Sequence, residues 1–236
     1  MSLNQDIIVM LKQEGCGIVG FADLRSLSRK TRQGFDYGVL IALPFTKEAM
    51  RENKDGLPQR YSDEHEPMTR RLGKLNRLTA GFLTDRGYKV FENTQDSIID
   101  GPSVDERNLR SVLPFKTVAT LSGIGWIGKC AVLVTNGVGS ALRMTIVLTD
   151  APLDCGTPIT KSKCSPTCTA CVDVCPGKAP SGGLWEAGVD RDSFFNAHAC
   201  RSAARARAKT LLNIEASRCG LCISNCPFTK RGLGYE

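Results

Sequence analysis

The sequence predicts a mixed α/β (α+β) domain over residues 1–150, followed by a small loop-rich domain over residues 151–236. Three observations predict it. Apolar runs of helical spacing and short β-branched runs are interspersed up to about residue 150, the mixture expected of helices packed on a sheet. Beyond Asp150 the composition turns to Cys, Pro, Gly and charge, with too little aliphatic material for an ordinary core. That second stretch also carries most of the cysteines, in two spaced runs.

In chain order, Ile7, Ile8, Met10 and Leu11 fall at helical spacing between Asn4 and Glu14, and Gly15 stops the helix. Cys16–Ala22 reads as a short buried strand. Tyr37–Pro44 reads as a second, without alternation and therefore covered on both faces. A helix is expected to start near Pro67, with Met68, Leu72, Leu75, Phe82 and Leu83 as its apolar stripe and Asp85-Arg-Gly87 as its end. Tyr88–Phe91 is a further strand. Glu92–Pro114 is irregular and polar, a long loop available as a lid. Lys116–Leu121 is a helix feeding Gly123-Ile-Gly125-Trp126-Ile-Gly128-Lys129. Two apolar runs, Ala131–Thr135 and Arg143–Thr149, flank Asn136-Gly137 and suggest a hairpin.

The cysteine runs are Cys164-Ser-Pro-Thr-Cys168-Thr-Ala-Cys171-Val-Asp-Val-Cys175-Pro176 and Cys219-Gly-Leu-Cys222-Ile-Ser-Asn-Cys226-Pro227. Both end in C-x2-C-x3-C-P, the close of the bacterial ferredoxin run, in which the Cys before Pro reaches across to the other cluster. A C-x2-C turn points two thiolates at one centre, and Cys-Pro leaves in a new direction. Cys200 lies between the runs and supplies a fourth ligand. The pattern predicts a ferredoxin-like domain with two [4Fe–4S] clusters: Cys164, Cys168, Cys171 and Cys226 on one, and Cys175, Cys200, Cys219 and Cys222 on the other. Two zinc sites of four thiolates would also use eight cysteines. The repeated x3-C-P ending, which zinc ribbons do not need, is the discriminator. Disulfides would require an oxidising compartment, and Met-Ser-Leu-Asn-Gln-Asp shows no export signal.

The chain has 31 Lys+Arg against 24 Asp+Glu, a formal charge of +7 in 236 residues, and 11 cysteines. This balance permits an anionic partner without requiring one. No apolar run approaches the about 20 residues needed to cross a bilayer. A cytoplasmic redox protein with no membrane and no nucleic-acid partner is the expectation.

Gly123, Gly125 and Gly128 satisfy G-x-G-x-x-G, and Asp150 stands near the spacing of a ribose-binding acid. A dinucleotide site needs strand, glycine turn, then helix. Here a helix precedes the glycines and strands follow, so the motif reads instead as a Trp-anchored turn. Its glycines would let the backbone approach a neighbouring element or a bulky cofactor.

The run Lys116-Thr-Val-Ala-Thr-Leu-Ser-Gly-Ile-Gly-Trp-Ile-Gly-Lys129, with Leu133-Val-Thr, Arg143 and Val147-Leu-Thr-Asp-Ala-Pro-Leu153, resembles the epoxyqueuosine reductase family. The cysteine runs match its double-cluster domain, and Gly17-Ile-Val-Gly-Phe-Ala-Asp23 is similar to its N-terminal opening. The resemblance implies a nitroreductase-like, cobalamin-binding first domain related to that of reductive dehalogenases. It also implies cofactor contacts at Gly123, Gly125, Trp126, Gly128, Lys129 and Arg143. In that arrangement a ferredoxin- or flavodoxin-like donor feeds the clusters, and a small-molecule substrate is reduced. Three departures stand against full transfer. Leu109, Val112 and Phe115 occupy the positions of the family's catalytic Asp and the following Pro and Glu. The sequence ends shortly after Cys226, where the family continues into helical repeats. Three residues rather than two separate Cys164 from Cys168, which leaves Cys155 as a substitute ligand. The first two argue against epoxyqueuosine reduction on tRNA; a non-catalytic electron carrier or corrinoid-handling protein is the alternative.

Of the remaining candidates, Cys16 and Cys130 sit in apolar contexts and read as small buried hydrophobes. His65 reads as solvated, and His198 as a surface residue near the second cluster. Arg201, Arg205 and Lys209 share a helix face suited to an acidic redox partner.

Overall fold

The computed structural model describes residues 2–94 and 104–236. Its chain divides into two units that interleave in sequence. The first comprises residues 1–43, 67–124 and 143–159, the second residues 44–66, 125–142 and 160–236. Two stretches of the N-terminal half, 44–66 and 125–142, thus belong to the cysteine-bearing unit, and residues 151–159 belong to the first.

The first unit is built on a four-stranded sheet. Helix α1 (Leu3–Gln13) is capped by the Ser2 hydroxyl, which accepts from Gln5 N–H, and ends where Gly15 takes φ +72°. Strands β1 (Ile18–Asp23) and β2 (Tyr37–Pro44) pair antiparallel, Ile18 opposite Ala42 and Asp23 opposite Tyr37. Six consecutive residues of β2 are buried, as its unalternating apolar run requires. Helix α2 (Lys47–Lys54) lies in the second unit, and α3 (Gln59–Thr84) runs from the second unit into the first. Strand β3 (Val90–Asn93), the short β4 (Val104–Asp105) and β5 (Arg110–Ser111), and α4 (Phe115–Leu121) follow. Residues 95–103 of the expected lid loop lie outside the described residues.

Strands β6 (Trp126–Ile127) and β7 (Leu133–Val134) form their own hairpin in the second unit, and β8 (Leu142–Thr149) completes the four-stranded sheet in the order β1-β2-β8-β3. The expected hairpin between 131–135 and 143–149 is thus corrected: β7 pairs with β6, and β8 pairs antiparallel with β3. Buried Ile7, Leu11, Phe21, Val39, Ile41, Leu72, Leu75, Leu83 and Val147 form the core between α1, α3 and this sheet.

Pro67 does not begin α3 but lies inside it. Its missing N–H removes one helical hydrogen bond, and the turns before it are fixed by aromatic packing. The ring of His65 meets Tyr61 edge-on at 4.7 Å and tilts against Phe45 at 5.2 Å. His65 is consequently buried, only 7% exposed, and not solvated.

In the second unit, α5 (Ala170–Asp173), α6 (Ala197–Leu212), α7 (Leu221–Ser224) and α8 (Pro227–Leu233) carry or flank the cysteines. The short helices α5 and α7 occupy equivalent places in the two cysteine runs. Asn53 of α2, fully buried, donates to the Ser224 hydroxyl at 3.1 Å and ties α2 to α7. No helix among the described residues is long and apolar enough to cross a membrane.

Candidate cluster-binding unit

The site begins with the two repeats. In each, a four-residue helix carries the second cysteine of the C-x2-C pair and ends two residues before the final cysteine, which emerges on a new course. Pro227 opens α8, where its missing N–H costs nothing. The sulfur of Cys226, at the N-cap of α8, accepts from the amides of Phe228 and Thr229. The Cys175 sulfur accepts from Ala179 N–H at 3.3 Å, and Leu221 N–H serves Cys219. Backbone donors of this kind favour thiolates over thiols.

Cys164, Cys168, Cys171 and Cys226 line one cavity of about 250 Å³, together with Cys130, Cys222, Gly128, Lys129 and Phe228. The final cysteine of the second run thus joins the three leading cysteines of the first. Of the other four, Cys175 and Cys219 both act on Cys200, whose thiol burial and these two neighbours push up to about 11, whereas Cys222 lines the first cavity and meets Cys130. Burial likewise raises Cys219 and Cys226, partly offset by their amide donors. A metal bound there would supply the charge that ionises these thiols. Among the described residues no three His, Cys, Asp or Glu side chains converge as on a single metal ion. A four-iron cluster would take one thiolate per iron.

Cys155, the substitute for Cys164, lies in the first unit beside Asp23 and packs on that unit's core.

Lys129 is the group that holds the first run in place. Its Nζ donates to the carbonyls of Pro166 and Cys168, both at 2.8 Å, and the residue is 3% exposed. Cys130 and burial push the Cys171 thiol up, and the Lys129 charge offsets a small part of this. The ammonium is committed to the cysteine loop rather than turned outward to a cofactor phosphate or amide.

The other turn residues are likewise engaged within the chain. A Cβ on Gly125 would stand 2.2 Å from Val134 O, one on Gly128 2.8 Å from Val134 Cγ2, and one on Gly123, at φ +74°, 2.6 Å from Thr157 O. Trp126 is fully buried, edge-on to Phe228 at 4.9 Å, and its Nε1 has no acceptor among the described residues. Arg143 Nη2 donates to Thr69 Oγ1 at 2.8 Å. These glycines serve close packing of the chain on itself.

Two residues have contacts beyond what the sequence indicated. Cys130 is buried, as its apolar context indicates, and its sulfur also meets Cys171 and Cys222 in the cysteine cavity. Its position directly after the Gly128-Lys129 turn was the available signal. Arg207, on the Cys200 face of its helix, offsets by its charge a small part of the burial that raises Cys219; its spacing of seven from Cys200 was the signal. On the same helix Arg205 and His198 are exposed, and Lys209 pairs with Glu215 at 2.6 Å on the surface. Leu109 sits at φ +52°, and Val112 is 40% exposed.

No protein-family model matches the chain. Among curated proteins, epoxyqueuosine reductase of Xanthomonas campestris pv. campestris is 36% identical over 117 residues, covering 50% of this chain and 28% of that protein. The epoxyqueuosine reductase of Atelocyanobacterium thalassa is 30% identical over 182 residues, covering 75% of this chain and 52% of that protein. The matches thus span about half or less of these relatives' length. Among solved structures, an epoxyqueuosine reductase with an epoxyqueuosine-modified tRNA-Tyr stem loop aligns with a TM-score of 0.58 at 20% identity, over 97% of this chain and 65% of that one. A reductive dehalogenase whose structure suggests a mechanism for B12-dependent dehalogenation aligns with a TM-score of 0.58 at 15% identity, over 90% of this chain and 30% of that one. At these identities the structures show a common mixed helix and sheet fold.

Proposed function

We propose, from the premise that this chain is an epoxyqueuosine reductase-like protein in sequence and fold, that it is a cytoplasmic iron–sulfur oxidoreductase. On this reading it takes single electrons from a reduced ferredoxin- or flavodoxin-like donor and delivers them to an acceptor for reduction of a substrate. The observation that carries it is the convergence of Cys226 with Cys164, Cys168 and Cys171 on one cavity, while Cys175 and Cys219 gather at Cys200.

Two [4Fe–4S] clusters, when bound, supply one-electron storage and transfer. The chain's own residues do the rest. The eight cysteines hold the two sites apart and in fixed order. Amides of Phe228, Thr229, Ala179 and Leu221 stabilise negative sulfur. Lys129 fixes the first loop and offsets its charge, and Trp126 and Phe228 back the cavity with apolar surface.

A corrinoid is the acceptor to which the resemblance points. The residues proposed for it do not fit that role. Gly123, Gly125 and Gly128 are filled by the chain's own atoms, Lys129 is bound to carbonyls, and Arg143 is bound to Thr69. No step is derived through it. The same engagement, with Leu109 at the family's catalytic Asp position, favours the second reading, an electron carrier whose acceptor is another protein.

Anaerobic loading with iron and sulfide, reduction, and titration with cobalamin followed by visible absorption test the choice. A reduced-corrinoid spectrum and cobalt retained through gel filtration support the enzyme. Cluster signals without retained cobalt leave the carrier. Absence of cluster signals overturns both. An epoxyqueuosine-bearing tRNA stem loop belongs among the substrates assayed, because a relative's structure holds one.

A further inference from the structure

Helix α6 carries Cys200 near its start and Arg207 seven residues on, two turns later and on the same face. That face is pressed against the end of the first cysteine run. A Cβ on Gly177, two residues beyond Cys175, would stand 2.6 Å from Ala199 O and 2.8 Å from Ala203 Cβ. Ala203 and Arg207 are four residues apart on the stripe that begins at Cys200. Arg207 therefore lies on the helix face that packs against the end of the first cysteine run and carries Cys200.

Arg207 Nε and Nη2 are buried and have no hydrogen-bond partner among the described residues. A guanidinium gives up hydration at these atoms only where an acceptor replaces it. Lys129 shows how the same unit treats a buried cation, with two carbonyl acceptors at 2.8 Å. At Arg207 no protein acceptor takes that part, whereas the neighbouring position is the second cluster site.

We propose that Arg207 donates Nε–H and Nη2–H to sulfur at the second cluster, either the Cys219 thiolate or a cluster sulfide, and thereby raises the reduction potential of that cluster alone. The inference rests on the two-cluster reading above. Hydrogen bonds to sulfur and nearby net charge are among the factors that set the potential of such clusters. A donor of fixed fork geometry stabilises the added electron of the reduced state more than the oxidised one. Arg207 is a positioning residue: it tunes a group held by cysteines and touches no substrate.

The test uses the full chain loaded anaerobically, as parent, Arg207→Lys and Arg207→Gln, with each cluster's midpoint potential read by redox titration under paramagnetic resonance. In Arg207→Gln one of the two clusters is expected to move to more negative potential by at least a tenfold change in its one-electron equilibrium, 59 mV. The other stays in place. Arg207→Lys, which keeps charge but not the fork, falls between. If Arg207→Gln fails to load, Arg207→Lys decides: a negative shift of one cluster supports the proposal, and a potential equal to the parent's overturns it. Both clusters unchanged in both loaded variants, or both shifted together, also overturn it. A parent that loads no cluster refutes the underlying reading instead, so the two failures are distinguishable.

Discussion

The Lys129 ammonium donates to the carbonyl of Cys168 at 2.8 Å, and this bond, with its twin to Pro166, fixes the loop between the first two cysteines of the first run. A charge only 3% exposed is retained where acceptors replace its water. Lys129→Met removes both bonds and leaves two carbonyls unserved. The expected loss is roughly 3 kcal/mol, from charge-assisted bonds of about 1.5–3 kcal/mol each. Denaturant unfolding of the loaded protein measures it, and cluster loss to a chelator should also quicken. An unchanged midpoint contradicts the assignment.

The crossed arrangement predicts that Cys226→Ser and Cys175→Ser each damage a different cluster. Each single variant should keep about four of about eight irons, with the surviving paramagnetic signal differing between them. Cys155→Ser, in the first unit, should keep the full iron content, whereas Cys164→Ser should not. Identical surviving signals in Cys226→Ser and Cys175→Ser would show both residues on one cluster.

Gly125 marks the closest self-approach of the turn. A methyl there would stand 2.2 Å from Val134 O, so Gly125→Ala must part the β6–β7 hairpin. Overpacking of this kind costs about 1–3 kcal/mol, and backbone contact puts this case at the upper end. Gly137→Ala, with nothing within 4 Å of the added carbon, is the control and should be neutral. Comparable melting temperatures for the two variants would count against the packing role of the turn.

Cys16 lies far from the cysteine cavity in sequence and belongs to the first unit's core, 1% exposed, with Sγ donating to Ala42 O at 3.4 Å. Burial pushes its thiol above the ordinary range. The folded state therefore keeps a proton that the unfolded chain gives up. Its stabilising contribution is full below the unfolded thiol pKa and declines as pH rises from there toward the folded value, by about 1.4 kcal/mol per pH unit. Cys16→Ala should flatten the alkaline limb of the stability profile relative to the parent. Parallel profiles above pH ~9 would refute the assignment.

Much of the first unit was legible because its signals are local. Strand β2 runs from Tyr37 to Pro44 as read, since an unalternating apolar run has few other folds. Helix α4 falls within a residue of its expected start. What misled was contact between distant segments. Pro67 reads as a helix start, yet Tyr61 and His65 pack on Phe45 and carry the helix back to Gln59. Asn136-Gly137 reads as a hairpin between the runs that flank it, but Leu133 and Val134 pair with Ile127 and Trp126. At the site, spacing picked out the two cysteine runs. The engagement of Lys129 with Pro166, and the approach of Cys130 to Cys171, depend on packing between segments more than thirty residues apart and leave no periodic trace.

The central claim is that the cysteine-bearing unit holds two four-iron clusters, and iron with acid-labile sulfide per chain after anaerobic reconstitution tests it most directly. About eight irons with a matching amount of sulfide are expected. Stoichiometric zinc without sulfide would contradict it.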